Sequence, residues 1–179
     1  MEPQPNHGVS GPRRLGGGMI LAAWLLALAL FTLFFSNFLD RQENPNRRVQ
    51  GHTSSQGVRE VRLQRNRSGH YLAEGSINGY PVVFLVDTGA TDVALPQALA
   101  DQLGLQPGPR QWSQTANGMV QTRSTRLASV ELGGIEMHEV RASILPHMGS
   151  DQVLLGMSFL RHLELVQSGD TLLLRRRAH

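Results

Sequence analysis

The chain has 179 residues, 40% of them apolar, which gives room for one modest folded domain beside a tail or an anchor. All 17 basic residues are arginines against 14 carboxylates, and a net charge of +3 is too small to argue for a nucleic-acid partner; Arg175-Arg176-Arg177, with no interleaved aromatics, reads as a solvated terminal tail. The absence of cysteine excludes a disulfide framework, a thiolate zinc site and a cysteine nucleophile, and the seven scattered histidines never pair at i, i+4 around a Glu, so neither a metal nor a cofactor is expected.

Residues 1–18 are rich in Gly and Pro and end in Gly16-Gly17-Gly18, a composition that cannot bury a core and predicts a disordered tail. From 19 to 35 every residue except Thr32 is apolar, and the run continues through Ser36-Asn37 to Phe38-Leu39. Residues 19–39 therefore reach the length of about 20 residues that crosses a bilayer. Ser36-Asn37-Phe38-Leu39-Asp40 is a poor cleavage site, so the span reads as an uncleaved anchor rather than a signal peptide. Two arginines precede it (Arg13, Arg14) and three follow closely (Arg41, Arg47, Arg48), so charge does not place the N-terminus in the cytoplasm. Long folded domains cross largely regardless of charge, and on that basis the domain is expected outside the cytoplasmic membrane.

Residues 40–57 hold almost nothing apolar and read as a flexible tether, leaving 58–179 as the folded domain. There the signals are short strands and turns. Val61 and Leu63 alternate with polar neighbours, as do Tyr71, Ala73, Gly75 and Ile77. Asn78-Gly79 is a hairpin dipeptide leading into Tyr80-Pro81-Val82-Val83-Phe84-Leu85-Val86, a run without alternation that predicts a strand buried on both faces. After Asp87-Thr88-Gly89, residues 97–103 form one short helix between Pro96 and Gly104. Asn117-Gly118 predicts a second hairpin tip, strands continue through Val130, Leu132, Ile135 and Ile144, and Ser168-Gly169-Asp170 turns the last one back.

An Asp at the end of a buried apolar strand needs a compensating environment. Thr88 offers a hydroxyl that fixes the turn, and Gly89 lets a backbone N–H reach the carboxylate with no Cβ in the way. A plain strand-ending turn would use Asp and Gly too. It would not need the seven-residue apolar run before it, nor Ala90-Thr91 and Val93-Ala94-Leu95 after it.

The segment Phe84-Leu85-Val86-Asp87-Thr88-Gly89-Ala90-Thr91 resembles the active-site segment of retroviral-type aspartic proteases. Leu154-Leu155-Gly156 resembles the second element of that fold, which threads behind the catalytic loop, with 157–162 as the short helix after it. Residues 115–120 fall where that family carries its flap hairpin. More narrowly, these motifs together with Ile77-Asn78-Gly79, Ala116-Asn117-Gly118 and Met157-Ser158-Phe159-Leu160 resemble the bacterial, single-pass, membrane-anchored branch, over about residues 71–174.

The resemblance implies an all-β, single-domain retropepsin-like closed barrel or sandwich, with a flap hairpin and one or two short helices, preceded by one transmembrane helix. It implies an aspartic endopeptidase whose two aspartates share a proton and hold a water, one as base and the other as acid. With a single Asp-Thr-Gly, and with Asp92 and Asp151 lacking the following Thr-Gly, the second carboxylate comes from another copy across a two-fold axis. Asp87 is thus the expected catalytic residue. Thr88 bonds across the axis, Gly89 supports the carboxylate, and Ala90, Asn117 and Gly118 meet an extended peptide. Gly156 gives the loop room, while Leu154, Leu155 and Phe159 are expected in the core. Either 61–64 or 171–174 builds the dimer interface or is an edge strand. The alternative is a non-hydrolytic, membrane-anchored dimeric module that binds peptide or protein through the same fold.

Overall fold

A computed structural model describes residues 13–49, 51–53, 57–115, 118–146, 148–149 and 151–176. The chain forms two compact units, Met1–Asp40 and Arg41–His179.

Helix α1 (Arg13–Glu43) carries the apolar run. Its segment Gly17–Ser36 has a mean hydropathy of 2.4, is exposed throughout, and at 20 residues is long and apolar enough to cross a membrane. The two hydroxyls inside it are satisfied by the helix itself, Thr32 donating to the Leu28 carbonyl at 2.8 Å and Ser36 to that of Leu33 at 3.0 Å. The helix begins at Arg13, inside the segment expected to be disordered, because helical bonding propagates readily past its nucleus. The remainder of that expected tail, residues 1–12, lies outside the described residues.

The second unit contains, in order, β1 (Gly51–Thr53), β2 (Arg59–Gln64), β3 (Leu72–Ile77), β4 (Tyr80–Val86), β5 (Val93–Pro96), α2 (Gln97–Gln102), β6 (Arg110–Thr115), β7 (Gly118–Leu132), β8 (Ile135–Leu145), β9 (Val153–Leu155), α3 (Met157–Leu160), β10 (Leu163–Ser168) and β11 (Thr171–Arg176). The larger sheet runs β3-β4-β9-β5-β8-β7, and β3 pairs with β7, so six strands close into a barrel. β6 pairs only with the first half of β7 and leaves the barrel as a hairpin. The smaller sheet runs β1-β2-β11-β10. Its inward side chains, among them Val61, Leu63, Leu163, Leu172 and Leu174, join the core that Phe84, Leu127, Ile135, Ile144 and Phe159 fill inside the barrel.

Tight turns fix the registers. Asn78 and Gly79 both have positive φ, 51° and 78°, the geometry of a two-residue hairpin whose twist matches its strands. The Asn78 side chain then accepts a bond from the Ser129 N–H at 2.9 Å, which fastens this hairpin to β7 beside the barrel's closing pair.

The structure corrects three expectations. β4 is not buried on both faces: Val82 and Phe84 are buried, Val83 and Leu85 are half-buried, and Tyr80 and Pro81 are exposed. Its unbroken apolar run hides an ordinary in-out alternation, because a small barrel has an inside and an outside. The segment 40–57 touches the fold rather than merely tethering it. Asn46 is buried, its amide donates to the carbonyls of Gln64 (2.9 Å) and Leu72 (2.6 Å), and it accepts from the Gln64 N–H (2.7 Å). β1 then adds a strand to β2. Arg175 and Arg176 belong to β11 rather than to a solvated tail, and Arg175 reaches Glu60 at 2.8 Å and Glu164 at 3.3 Å. Arg177 lies outside the described residues.

Candidate active site

Asp87 follows the last residue of β4 and sits where two chain segments cross. β9 runs parallel to β4, with Val86 opposite Leu155, and touches β5 on its other side at Ala94 and Leu154. The segment after Asp87 therefore loops out of one strand and returns on the far side of β9. The crossing is stitched by backbone bonds: Asp87 N–H to the Leu155 carbonyl (3.2 Å), Met157 N–H to that of Ala90 (2.8 Å) and Ser158 N–H to that of Thr91 (2.9 Å).

Of the two expected supports for the turn, the Gly89 N–H is present and a bond from the Thr88 hydroxyl is not, among the described residues. The Gly89 N–H donates to Asp87 Oδ1 at 2.9 Å, and a Cβ on Gly89 would stand 3.2 Å from that same oxygen. Asp87 is half-buried while Thr88 and Gly89 are exposed, so the loop presents its tip outward. The Thr88 hydroxyl meets no partner among the described residues. Gly156 is buried behind the loop, where a Cβ would run into the carbonyl oxygens of Asp92 and Ala90.

A cleft of about 780 Å³ opens beside the carboxylate. Asp87, Gly89 and Ala90 line its floor, and Trp112, Gln114 and Thr115 of β6 line the opposite wall. The hairpin over it is held by its own register, Thr115 opposite Gly118, with the Thr115 hydroxyl donating to the Gly118 carbonyl at 2.8 Å. Gly118 has φ +105°, open to glycine alone in practice. Asn117, expected at the hairpin tip, lies outside the described residues, as does Ala116.

Asp92 also borders the cleft, its Oδ1 lying 3.2 Å from a guanidinium nitrogen of Arg141 as an ion pair outside hydrogen-bond geometry. Asp151 is exposed in a bend and lines a different cleft.

Sequence reasoning misplaced one residue and missed two. Leu154, expected in the core, is half-exposed and lines the cleft, because β9 alternates and its neighbours Val153 and Leu155 take the buried side. Trp112 is 66% exposed on the hairpin wall; its place between Gln111 and Ser113 was the available signal, a lone large aromatic in an otherwise polar strand. Ser158 left no such signal. It is buried, accepts from the Val93 N–H at 3.0 Å and donates to the Arg141 carbonyl at 2.8 Å, tying α3 to the neighbouring strands β5 and β8.

Comparison with known proteins agrees with this geometry. Residues 73–162 match the family model described as "gag-polyprotein putative aspartyl protease". A Sinorhizobium protein, described by its position in the cobV 5′ region, is 34% identical over 167 residues, covering 86% of this chain and 71% of that protein. Protein RP867 of Rickettsia prowazekii (strain Madrid E) is 32% identical over 111 residues, which span 60% of this chain and 47% of that relative. The crystal structure of a retropepsin-like aspartic protease from Rickettsia conorii superposes with a TM-score of 0.57 at 30% identity, over 72% of this chain and 96% of that one. The family-model match over residues 73–162 and the superposition together show that this chain belongs to the retropepsin-like aspartic protease family.

Proposed function

We propose that the protein is an aspartic endopeptidase that hydrolyses extended polypeptide with a water activated by two Asp87 carboxylates, one from each of two copies. The observation that carries this reading is the cradled carboxylate: Asp87 accepts the Gly89 N–H and lines a cleft whose one other carboxylate among the described residues, Asp92, is ion-paired with Arg141. A two-fold axis beside the exposed Thr88-Gly89 tip supplies the second one. Two carboxylates a few Å apart cannot both stay ionised, so one remains a base and the other an acid. The base takes a proton from water, oxygen attacks the peptide carbon, and the acid protonates the carbonyl oxygen to give a diol. The proton held by the first aspartate then passes to the leaving nitrogen as the C–N bond breaks, while a diol hydroxyl gives its proton to the second aspartate, leaving a carboxylic acid, an amine and the starting protonation of the pair.

In this reading Thr88 bonds across the axis, Ala90 lies along the substrate backbone, and the hairpin carrying Asn117 and Gly118 closes over the peptide and excludes water. Helix α1 anchors each chain in a bacterial inner membrane with the protease domain on the periplasmic side. Confinement to one membrane raises the effective concentration of each copy for the other.

The test is hydrolysis of an extended peptide library by the full chain in detergent micelles, with Asp87→Asn as the variant. Turnover should fall by about 10²–10⁴-fold or more with the unfolding temperature unchanged. Equal turnover in the variant would overturn the assignment. Specific peptide binding by the unaltered protein with no cleavage at any pH would favour the non-hydrolytic module instead.

A further inference from the structure

β7 and β8 run in one antiparallel register from Arg123 to Leu132, broken only where Ala128 faces Glu139. Both strands turn over at that gap. Leu127 and Val140 are a buried facing pair, and so, beyond the gap, are Leu132 and Ile135, with Val130 buried opposite half-buried Met137. Strict two-residue alternation cannot bury 127 together with 130 and 132. The switch coincides with Glu139, whose φ of +54° is a backbone conformation that a non-glycine residue keeps only where its surroundings impose it. Those surroundings include Arg126, whose guanidinium donates to the Glu139 carbonyl at 3.3 Å.

The same register sets two arginines face to face. Arg126 stands directly opposite Arg141, and both are exposed. Like charges in directly opposed positions destabilise a strand pair. Arg141 is offset by Asp92 at 3.2 Å, whereas Arg126 has no carboxylate within ion-pair distance among the described residues.

A third guanidinium arrives from another element. α3 is held on β8 by the Ser158 hydroxyl, which donates to the Arg141 carbonyl at 2.8 Å, and Arg161 is the residue that ends this helix. Arg161 Nε donates to His162 Nε2 at 3.3 Å, leaving its two terminal nitrogens without a bond among the described residues. Between α3 and the two strands lies a cavity of about 270 Å³, lined by Arg126, Arg141 and Arg161, by His138 and His162, and by one carboxylate residue, Glu139. It shares no lining residue with the cleft beside Asp87.

We propose that this cavity is an anion site for a phosphate dianion, either free or as the monoester headgroup of a lipid, with Arg126 and Arg161 as its principal ligands. Three guanidinium groups against one carboxylate leave an excess that a single carboxylate ligand would not balance and that a phosphate monoester, close to doubly charged near neutral pH, does. Guanidinium offers paired N–H donors that match phosphate oxygens, and the imidazoles of His138 and His162 add donors around them. The bound dianion would sit between Arg126 and Arg141 and remove the cost of opposing them. The cavity's size suits a compact oxyanion rather than an extended peptide, and the site stands whether or not Asp87 is catalytic.

The full chain in neutral detergent micelles is titrated with sodium phosphate near neutral pH, against sodium chloride at equal ionic strength so that screening alone is subtracted. Phosphate should raise the unfolding temperature saturably beyond the chloride reference. Arg126→Gln and Arg161→Gln should each weaken that binding by at least about tenfold. In phosphate-free buffer Arg126→Gln should be no less stable than the unaltered protein, because it removes the cross-strand repulsion. A second arm replaces phosphate with micelles carrying phosphatidate, compared with phosphatidylcholine, whose headgroup phosphate is a diester. Stabilisation by phosphatidate that the same variants lose assigns the site to a lipid headgroup, and a response to inorganic phosphate alone assigns it to a free anion. The proposal is overturned if neither probe stabilises the protein beyond its reference, or if the Arg126→Gln/Arg161→Gln double variant responds as the unaltered protein does. Early unfolding of Arg126→Gln in phosphate-free buffer would also contradict it, by making Arg126 a structural residue.

Discussion

Gly156 has no space for even a methyl group, since a Cβ there would meet the carbonyl oxygen of Asp92 and stand 2.7 Å from that of Ala90. Both oxygens belong to the loop that carries Asp87. Gly156→Ala must push that loop outward, and the expected cost is about 1–3 kcal/mol of stability together with lost turnover. Ser158 acts through the same loop by hydrogen bonds. Ser158→Ala strands the buried Val93 N–H and frees the Arg141 carbonyl, a loss of about 1–3 kcal/mol in chemical denaturation. Neither change touches the substrate cleft, so in both variants KM should move less than kcat. Denaturation curves that overlay the unaltered protein's would show that these contacts do not hold the crossing together.

Among the elements, the β6–β7 hairpin is set apart because it leaves the barrel and carries Trp112, 66% exposed, into the cleft. A large aromatic left in water on the wall of a cleft is better explained by a ligand than by packing. Trp112→Ala should leave the unfolding free energy within about 0.5 kcal/mol of the original and raise KM for extended peptides by at least about fivefold. A variant that unfolds early with KM unchanged would make Trp112 structural. What the sequence disclosed divides along the same line. Asp87, Gly89, the Asn78-Gly79 turn and the short helices were legible because each depends on neighbours a few positions away. The two faces of β4, the cleft-facing turn of Leu154 and the bonds of Ser158 to partners at Val93 and Arg141 were not, because they depend on which distant strand lies alongside. Asn46 escaped for the same reason: an amide in a polar stretch gives no sign that it will cap an unpaired strand.

At the scale of the whole molecule the proposed dyad would make function depend on assembly and on one shared proton. When pH rises far enough to ionise both carboxylates the acid is lost, and when it falls far enough to protonate both the base is lost. Peptidase activity should therefore trace a bell with its maximum at mildly acidic pH, measured as kcat/KM across pH 3 to 8. A rate that climbs steadily to pH 8 would be incompatible with paired carboxylates.

Subunit mixing probes the two-copy site most directly. A fixed amount of unaltered protein is allowed to exchange subunits with an equal amount of Asp87→Asn chain, and peptide hydrolysis is followed. If both aspartates are required, mixed dimers are dead and the rate should drop to about half, as random pairing dictates for a two-fold assembly. A rate that does not change, with exchange verified by labelled chains, would show that one Asp87 suffices.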